Sequence, residues 1–149
     1  VVWGQGFDAG RLGRVPWLRS AEQVRYWGDV DTHGFAILDL VRSQVPQVAS
    51  VLMDLATLLR HRSRWVVEPK PTRADLGHLT GAERALYEDL VGGAHGPSVR
   101  LEQERIDWAL ALSRLWPAGA GVSCRVGRRC RRPVRGTGCC LAVMSGRCG

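Results

Sequence analysis

No stretch of the 149-residue chain approaches the roughly 20 consecutive apolar residues needed to cross a bilayer. No basic-then-apolar leader opens it, so no membrane partner is expected and the expected location is the cytoplasm. The chain has no internal repeat. Cysteine is missing until Cys124, and all five (Cys124, Cys130, Cys139, Cys140, Cys148) fall near the end. Cys124 and Cys130 have five residues between them and Cys139 and Cys140 are adjacent, so neither pair has the two- to four-residue gap of a zinc knuckle. A disulfide framework would need an oxidising compartment that nothing else implies. Acid is missing after Asp107. From Pro117 to Gly149 there is none, against seven arginines and seven glycines.

These gaps relocate the net charge of +7. Setting aside the seven tail arginines leaves 14 basic against 14 acidic residues in 1–116, a neutral body. The basic pI therefore belongs to 117–149 and gives no argument for nucleic-acid binding by the rest. With no helical or strand periodicity, 117–149 reads as a disordered basic tail or as out-of-frame translation of a GC-rich gene. Residues 1–116, in a chain 45% hydrophobic and 23% charged, have room for one core. Val1 rather than Met stands first, inside an apolar run. The expectation is a piece of something longer.

Three apolar runs read as strands: Val1–Trp3 entering the Gly4-Gln5-Gly6 turn, Val24–Val30, and Ala49–Met53. Gly10, Gly13 and Pro16 weaken a helix over 7–18, and Pro16-Trp17-Leu18 is expected to close that segment on the core. Phe35, Leu38, Val41 and Val45 recur at helical spacing, with Asp39, Arg42 and Ser43 opposite, until Pro46. Leu55–Arg64 resumes a helix carrying Arg60, Arg62 and Arg64. Residues 66–75 read as a loop, Thr80-Gly81-Ala82-Glu83 as a capping box, and Val99–Trp116 as a last helix. Strands alternating with helices predict an α/β fold with a parallel sheet flanked by helices.

The chemistry concentrates at Asp29-Val30-Asp31, where a strand hands over to a helix. Residues i and i+2 of a strand share a face, so these carboxylates converge and repel unless a cation lies between them. Mg2+ or Mn2+ would suit the oxygen donors, and strand ends are where α/β sheets tend to bind ligands. The plainer reading has Asp31 or Thr32 capping the next helix. His33 could be a ligand, a proton donor or a hydrogen-bonded surface residue. Glu102 and Glu104 could add carboxylates or form a salt-bridged face with Arg100 and Arg105, and Asp54 could support the site. Arg60, Arg62 and Arg64 could contact phosphates or be a solvated face. An Asp-x-Asp strand end also suggests a haloacid-dehalogenase phosphatase, but Thr32 falls one place too early for that motif.

Three ordered motifs, Tyr26–Leu38, Ser50–Asp54 and Arg100–Ile106, make residues 1–115 resemble the C-terminal domain of the Wadjet anti-plasmid protein JetD. That resemblance implies a Toprim-like fold related to the A subunit of type IIB topoisomerases. It implies a metal-dependent DNA endonuclease subunit that acts with SMC-like complex subunits on closed circular, double-stranded DNA. Asp29 and Asp31 match the family's metal-holding pair for Mg2+ or Mn2+. Glu104, as a catalytic acid, and Glu102, as a metal ligand, match its late acidic motif. The family's first-strand glutamate would lie upstream of Val1, so the chain is expected to be a partial site with little activity alone. A homodimer is left open. The competing expectations are a non-catalytic DNA- or partner-docking module and the phosphatase.

Overall fold

The computed structural model describes residues 2–4, 16–116 and 139–144. In chain order its elements are β1 (Val2–Gly4), α1 (Pro16–Arg19), β2 (Gln23–Trp27), α2 (Thr32–Gln44), β3 (Val48–Ser50), α3 (Leu55–Arg60) and β4 (Val66–Val67). They continue with α4 (Gly81–Gly92), β5 (Val99–Arg100), α5 (Trp108–Leu115) and β6 (Cys139–Met144). Short 3-10 turns cover Arg62–Arg64 and Gln103–Arg105.

The main sheet has the order β1-β6-β2-β3. β2 and β3 are parallel, with Val24 opposite Val48 and Tyr26 opposite Ser50. β6 lies antiparallel to both β1 and β2, so β1, β2 and β3 run the same way. The parallel α/β pattern expected from the three apolar runs is present, with one antiparallel strand inserted. The inserted strand, β6, comes from the segment 117–149 and carries the apolar run Leu141-Ala142-Val143-Met144. The rest of that segment lies outside the described residues, as do 5–15.

α2 is the central helix. Phe35, Leu38 and Val41 are fully buried along one side of it, and Val45 is buried just past its end. Each such burial contributes about 1.5–3 kcal/mol. Phe35 meets Tyr87 of α4 edge to face, with ring centroids 6.3 Å apart. Thr80 caps α4 in a full capping box with Glu83, as its sequence predicts, and Gly93 closes the helix in the left-handed conformation. At the other edge Trp27 packs on Trp108 of α5 at 5.9 Å. Arg25 donates to the Arg114 and Leu115 carbonyls that α5 leaves open. Among the described residues no helix is long and apolar enough to cross a membrane.

Three local expectations need correction. Arg42 is buried rather than solvated, because its guanidinium donates to the Val48 and His78 carbonyls and makes a two-pronged pair with Glu83. Leu18 of α1 is buried, but Trp17, its neighbour in the same helix, is 53% exposed. Val99–Trp116 is not one helix. Its first part is β5, paired antiparallel with β4 in the segment read as a loop, and it then passes through a 3-10 turn before α5 begins. The apolar spacing of Val99, Ile106, Leu110 and Leu115 imitates a helix, but Val66 and Val67 offer Val99 and Arg100 a strand partner.

Candidate functional site

Beyond the end of β2 the chain stays extended, and Val30 forms an antiparallel bridge with Leu101 just after β5. The two residues exchange both backbone hydrogen bonds, at 2.9 and 3.1 Å, and both side chains are fully buried. Neighbours on an extended chain point the opposite way, so Asp29, Asp31, Arg100 and Glu102 share the other face. In antiparallel register Asp31 lies across from Arg100 and Asp29 across from Glu102.

One guanidinium joins the two aspartates. Arg100 Nη2 donates to Asp29 Oδ2 at 2.5 Å, and Arg100 Nε lies 3.2 Å from Asp31 Oδ2 as an ion pair without hydrogen-bond alignment. The other oxygen of each carboxylate is held by backbone: Gln103 N donates to Asp29 Oδ1 at 2.9 Å, and Gly34 N to Asp31 Oδ1 at 2.6 Å. The convergence expected from the i, i+2 spacing is therefore seen, and the cation between the carboxylates is Arg100.

The Asp31 contact is also the N-cap of α2. A second carboxylate, Glu68, completes that helix start. It accepts from Thr32 N, from Thr32 Oγ1 at 2.6 Å and from His33 N. The positive end of α2 thus sits on two buried carboxylates. Gly34 is required by close approach, since a Cβ there would overlap the Asp29 carbonyl oxygen. Burial is the main force on Asp31, with Asp29 and Glu68 adding repulsion. Against the Gly34 N–H and Arg100, they push its carboxyl up to about 6. Burial alone would lower the basicity of Arg100, but Asp29 and Asp31 outweigh it and raise its pKa.

The remaining expected site residues lie around this core. Glu102 is half-buried, 2.8 Å from Arg105 Nε and 3.9 Å from Arg100 Nε, so the ion pairs expected of this stretch form on a turn rather than on a helix. Glu104 is exposed on the same turn. What burial it has raises its carboxyl, as do Asp29 and Glu102. His33 is partly exposed, with Nδ1 4.0 Å from Glu68 Oε1. Asp54 caps α3 by accepting from Thr57 N and Thr57 Oγ1. The Thr32 hydroxyl is committed to Glu68 and to Thr72 N. Gln103 and Glu68 are not among the expected site residues, and Arg100 is expected only as an ion-pair partner of Glu102 and Glu104. The place of Arg100 and Gln103 beside Asp29 is hidden by the helix reading, although Val99-Arg100-Leu101-Glu102 alternates apolar and charged residues as a strand does. Glu68 left no local signal, because its partners are 35 and 36 residues away.

The sequence model of the family described as "Wadjet protein JetD, C-terminal" matches residues 1–115. The chain belongs to that family. It is accordingly a component of a Wadjet anti-plasmid system. No curated protein matches the chain.

Whether a divalent ion fits between Asp29 and Asp31 turns on Arg100. Gln103, 4% exposed, has an amide oxygen with no donor among the described residues, a neutral oxygen of the kind Mg2+ accepts. Against this, all four oxygens of Asp29 and Asp31 are engaged. No group of three His, Cys, Asp or Glu side chains among the described residues is arranged to hold a metal. With Arg100 between the carboxylates, a divalent ion does not fit.

A second feature lies between α3 and α5, a cleft of about 370 Å3 bordered by Ser50, Asp54, Arg60, His61 and Arg114. It adjoins a space of about 380 Å3 beside Arg64 and Asp107. Arg62 stacks over Trp65 at 5.4 Å, and Arg64 donates to the Arg105 carbonyl.

Proposed function

We propose that this chain is part of a Toprim-like, metal-dependent DNA endonuclease subunit of its Wadjet system, with Asp29 and Asp31 as its acidic centre. The observation that carries this is the convergence of both carboxylates on a single cation position at the end of β2. Glu104 and Glu102 stand on the adjoining turn as further acids, and Mg2+ or Mn2+ is the expected cofactor once Arg100 has vacated that position. Double-stranded DNA is the substrate, reached with SMC-like partner subunits in the cytoplasm. Arg60 and Arg114, on the α3–α5 cleft, are suited to phosphate contacts that add affinity without sequence preference.

The engagement of all four carboxylate oxygens favours a second reading, a docking module that keeps the fold without cleaving. Cleavage of closed circular DNA by the Wadjet complex assembled with this protein, in Mg2+ or Mn2+, separates the two. Cleavage that Asp29→Asn and Asp31→Asn each abolish is the expected result. Undiminished cleavage by either variant would remove the assignment.

A further inference from the structure

We infer that the cleft between α3 and α5 seats successive phosphates of one DNA strand, with Arg60 and Arg114 reaching them from its two helices. The inference rests on the double-stranded DNA substrate proposed above and is independent of any metal. The cleft, of about 370 Å3, and the adjoining space, of about 380 Å3, share Arg60, His61 and Leu110 as a common wall. Two joined spaces with a basic wall between them suit a repeating anion better than a lone phosphate. Ser50, the last residue of β3, borders the cleft, which therefore opens beyond the end of the strand parallel to β2. Asp29 follows the end of β2. Cleft and acidic centre thus lie past the ends of neighbouring strands, on the side of the sheet where α/β folds bind ligands.

The cleft arginines are anchored yet lack a counter-ion. Among the described residues neither the Arg60 nor the Arg114 guanidinium makes a hydrogen bond or an ion pair. Those of Arg25, Arg42, Arg84, Arg100 and Arg105 are all engaged within the fold. The two carboxylates at the cleft do not compete for them. Thr57 N and Thr57 Oγ1 occupy Asp54, and Asp107 caps α5 by accepting from Leu110 N. Both backbones are pinned: Arg25 donates to the Arg114 and Leu115 carbonyls, and Trp65 Nε1 to the Leu58 carbonyl of α3. Planar guanidinium forks match phosphate oxygens in pairs. His61, 7% exposed, borders both spaces. Its Nδ1 donates to the Thr57 carbonyl at 2.8 Å, which leaves Nε2 with no hydrogen bond among the described residues. A buried ring nitrogen on the wall and two unspent guanidiniums are the polar lining that a phosphate chain requires.

The test is binding of a short fluorescent DNA duplex by the full chain in EDTA, over a series of salt concentrations. Arg60→Gln and Arg114→Gln should each weaken binding on the order of tenfold at low salt. Each should also lower the slope of log affinity against log salt by about 1, and the double variant by about 2. Arg73→Gln, which removes an exposed arginine that does not border the cleft, should change neither quantity. In wild type the ring-nitrogen resonances of His61 should shift as duplex is added, while those of His78, paired with Asp39, stay in place. That readout needs no variant and decides the matter if Arg60→Gln or Arg114→Gln does not fold. Wild-type affinity and slope in both variants, or an unmoved His61 while duplex binds, would overturn the cleft assignment and leave DNA as the substrate. Inorganic pyrophosphate bound through Arg60 and Arg114, with duplex affinity unchanged in the same variants, would make the cleft a small-phosphate site and overturn the strand. No duplex binding by wild type would remove the substrate reading and the inference together.

Discussion

Replacing Asp31 by asparagine, with EDTA present, is expected to stabilise the protein at pH 8. The Asp31 carboxyl is 3% exposed, and its pKa is raised from 3.8 to about 6, first by burial and then by Asp29 and Glu68. A raised acid pKa means that the folded state holds the proton more tightly than the unfolded chain does. Below about pH 4 both states are protonated and the group has no effect. Between about pH 4 and 6 the unfolded chain ionises first, so stability falls as pH rises, and above about 6 the penalty is complete. At about 1.4 kcal/mol per pKa unit it amounts to about 3 kcal/mol. Asparagine keeps the acceptor that caps α2, since Asn and Asp are equally good N-caps, and it removes the buried charge. Urea unfolding of both proteins from pH 4 to 8 measures the difference. The curves should converge near pH 4 and separate by about 3 kcal/mol at pH 8. If Asp31→Asn is less stable than wild type at pH 8, Asp31 is not under electrostatic strain, and the argument for an incoming cation loses its energetic support.

Glu83 has the opposite sign. Burial pushes its carboxyl up, but hydrogen bonds from Arg42, Ser50 and the Thr80 N–H outweigh that and hold it at about 2 instead of 4.5. Its stabilisation, about 3 kcal/mol, is present above about pH 4.5 and is lost as pH falls through about 2. Glu83→Gln should therefore flatten the acid limb of a stability-against-pH curve, and an unchanged limb would contradict the pairing. Arg42→Met leaves the Glu83 carboxylate buried without its partner and should destabilise by about 3–5 kcal/mol in urea unfolding at pH 7. Gly34→Ala forces a methyl group into the Asp29 carbonyl. It should destabilise by about 1–3 kcal/mol and weaken Mn2+ binding, whereas a variant of wild-type stability and affinity would mean that this contact relaxes freely.

How much the sequence discloses depends on the range of the interaction. α2 and α4 are legible because their determinants are local: the apolar period from Phe35 to Val45, and the Thr80–Glu83 box. The aspartate pair is legible for the same reason, because i, i+2 spacing settles which face the side chains take. Its counter-ion is not, because Arg100 arrives across 71 residues of chain. Its segment also satisfies a helical spacing until β4 is known to lie beside it. Arg42 looked solvated from its helical position alone, and only the Glu83 carboxylate, 41 residues on, explains its burial. Glu68 lies next to Pro69 in a stretch with no periodicity, and it acquires a role only when the start of α2 is placed against it.

The central claim is that Asp29 and Asp31 converge on one cation position, held in this structure by Arg100. Crystals of the chain grown in Mn2+ and measured at the manganese absorption edge test it most directly. The proposed metal-dependent activity predicts an anomalous peak at Asp29 and Asp31, with the Arg100 guanidinium turned away. A peak elsewhere, or Arg100 still bridging the two carboxylates at saturating Mn2+, would contradict it.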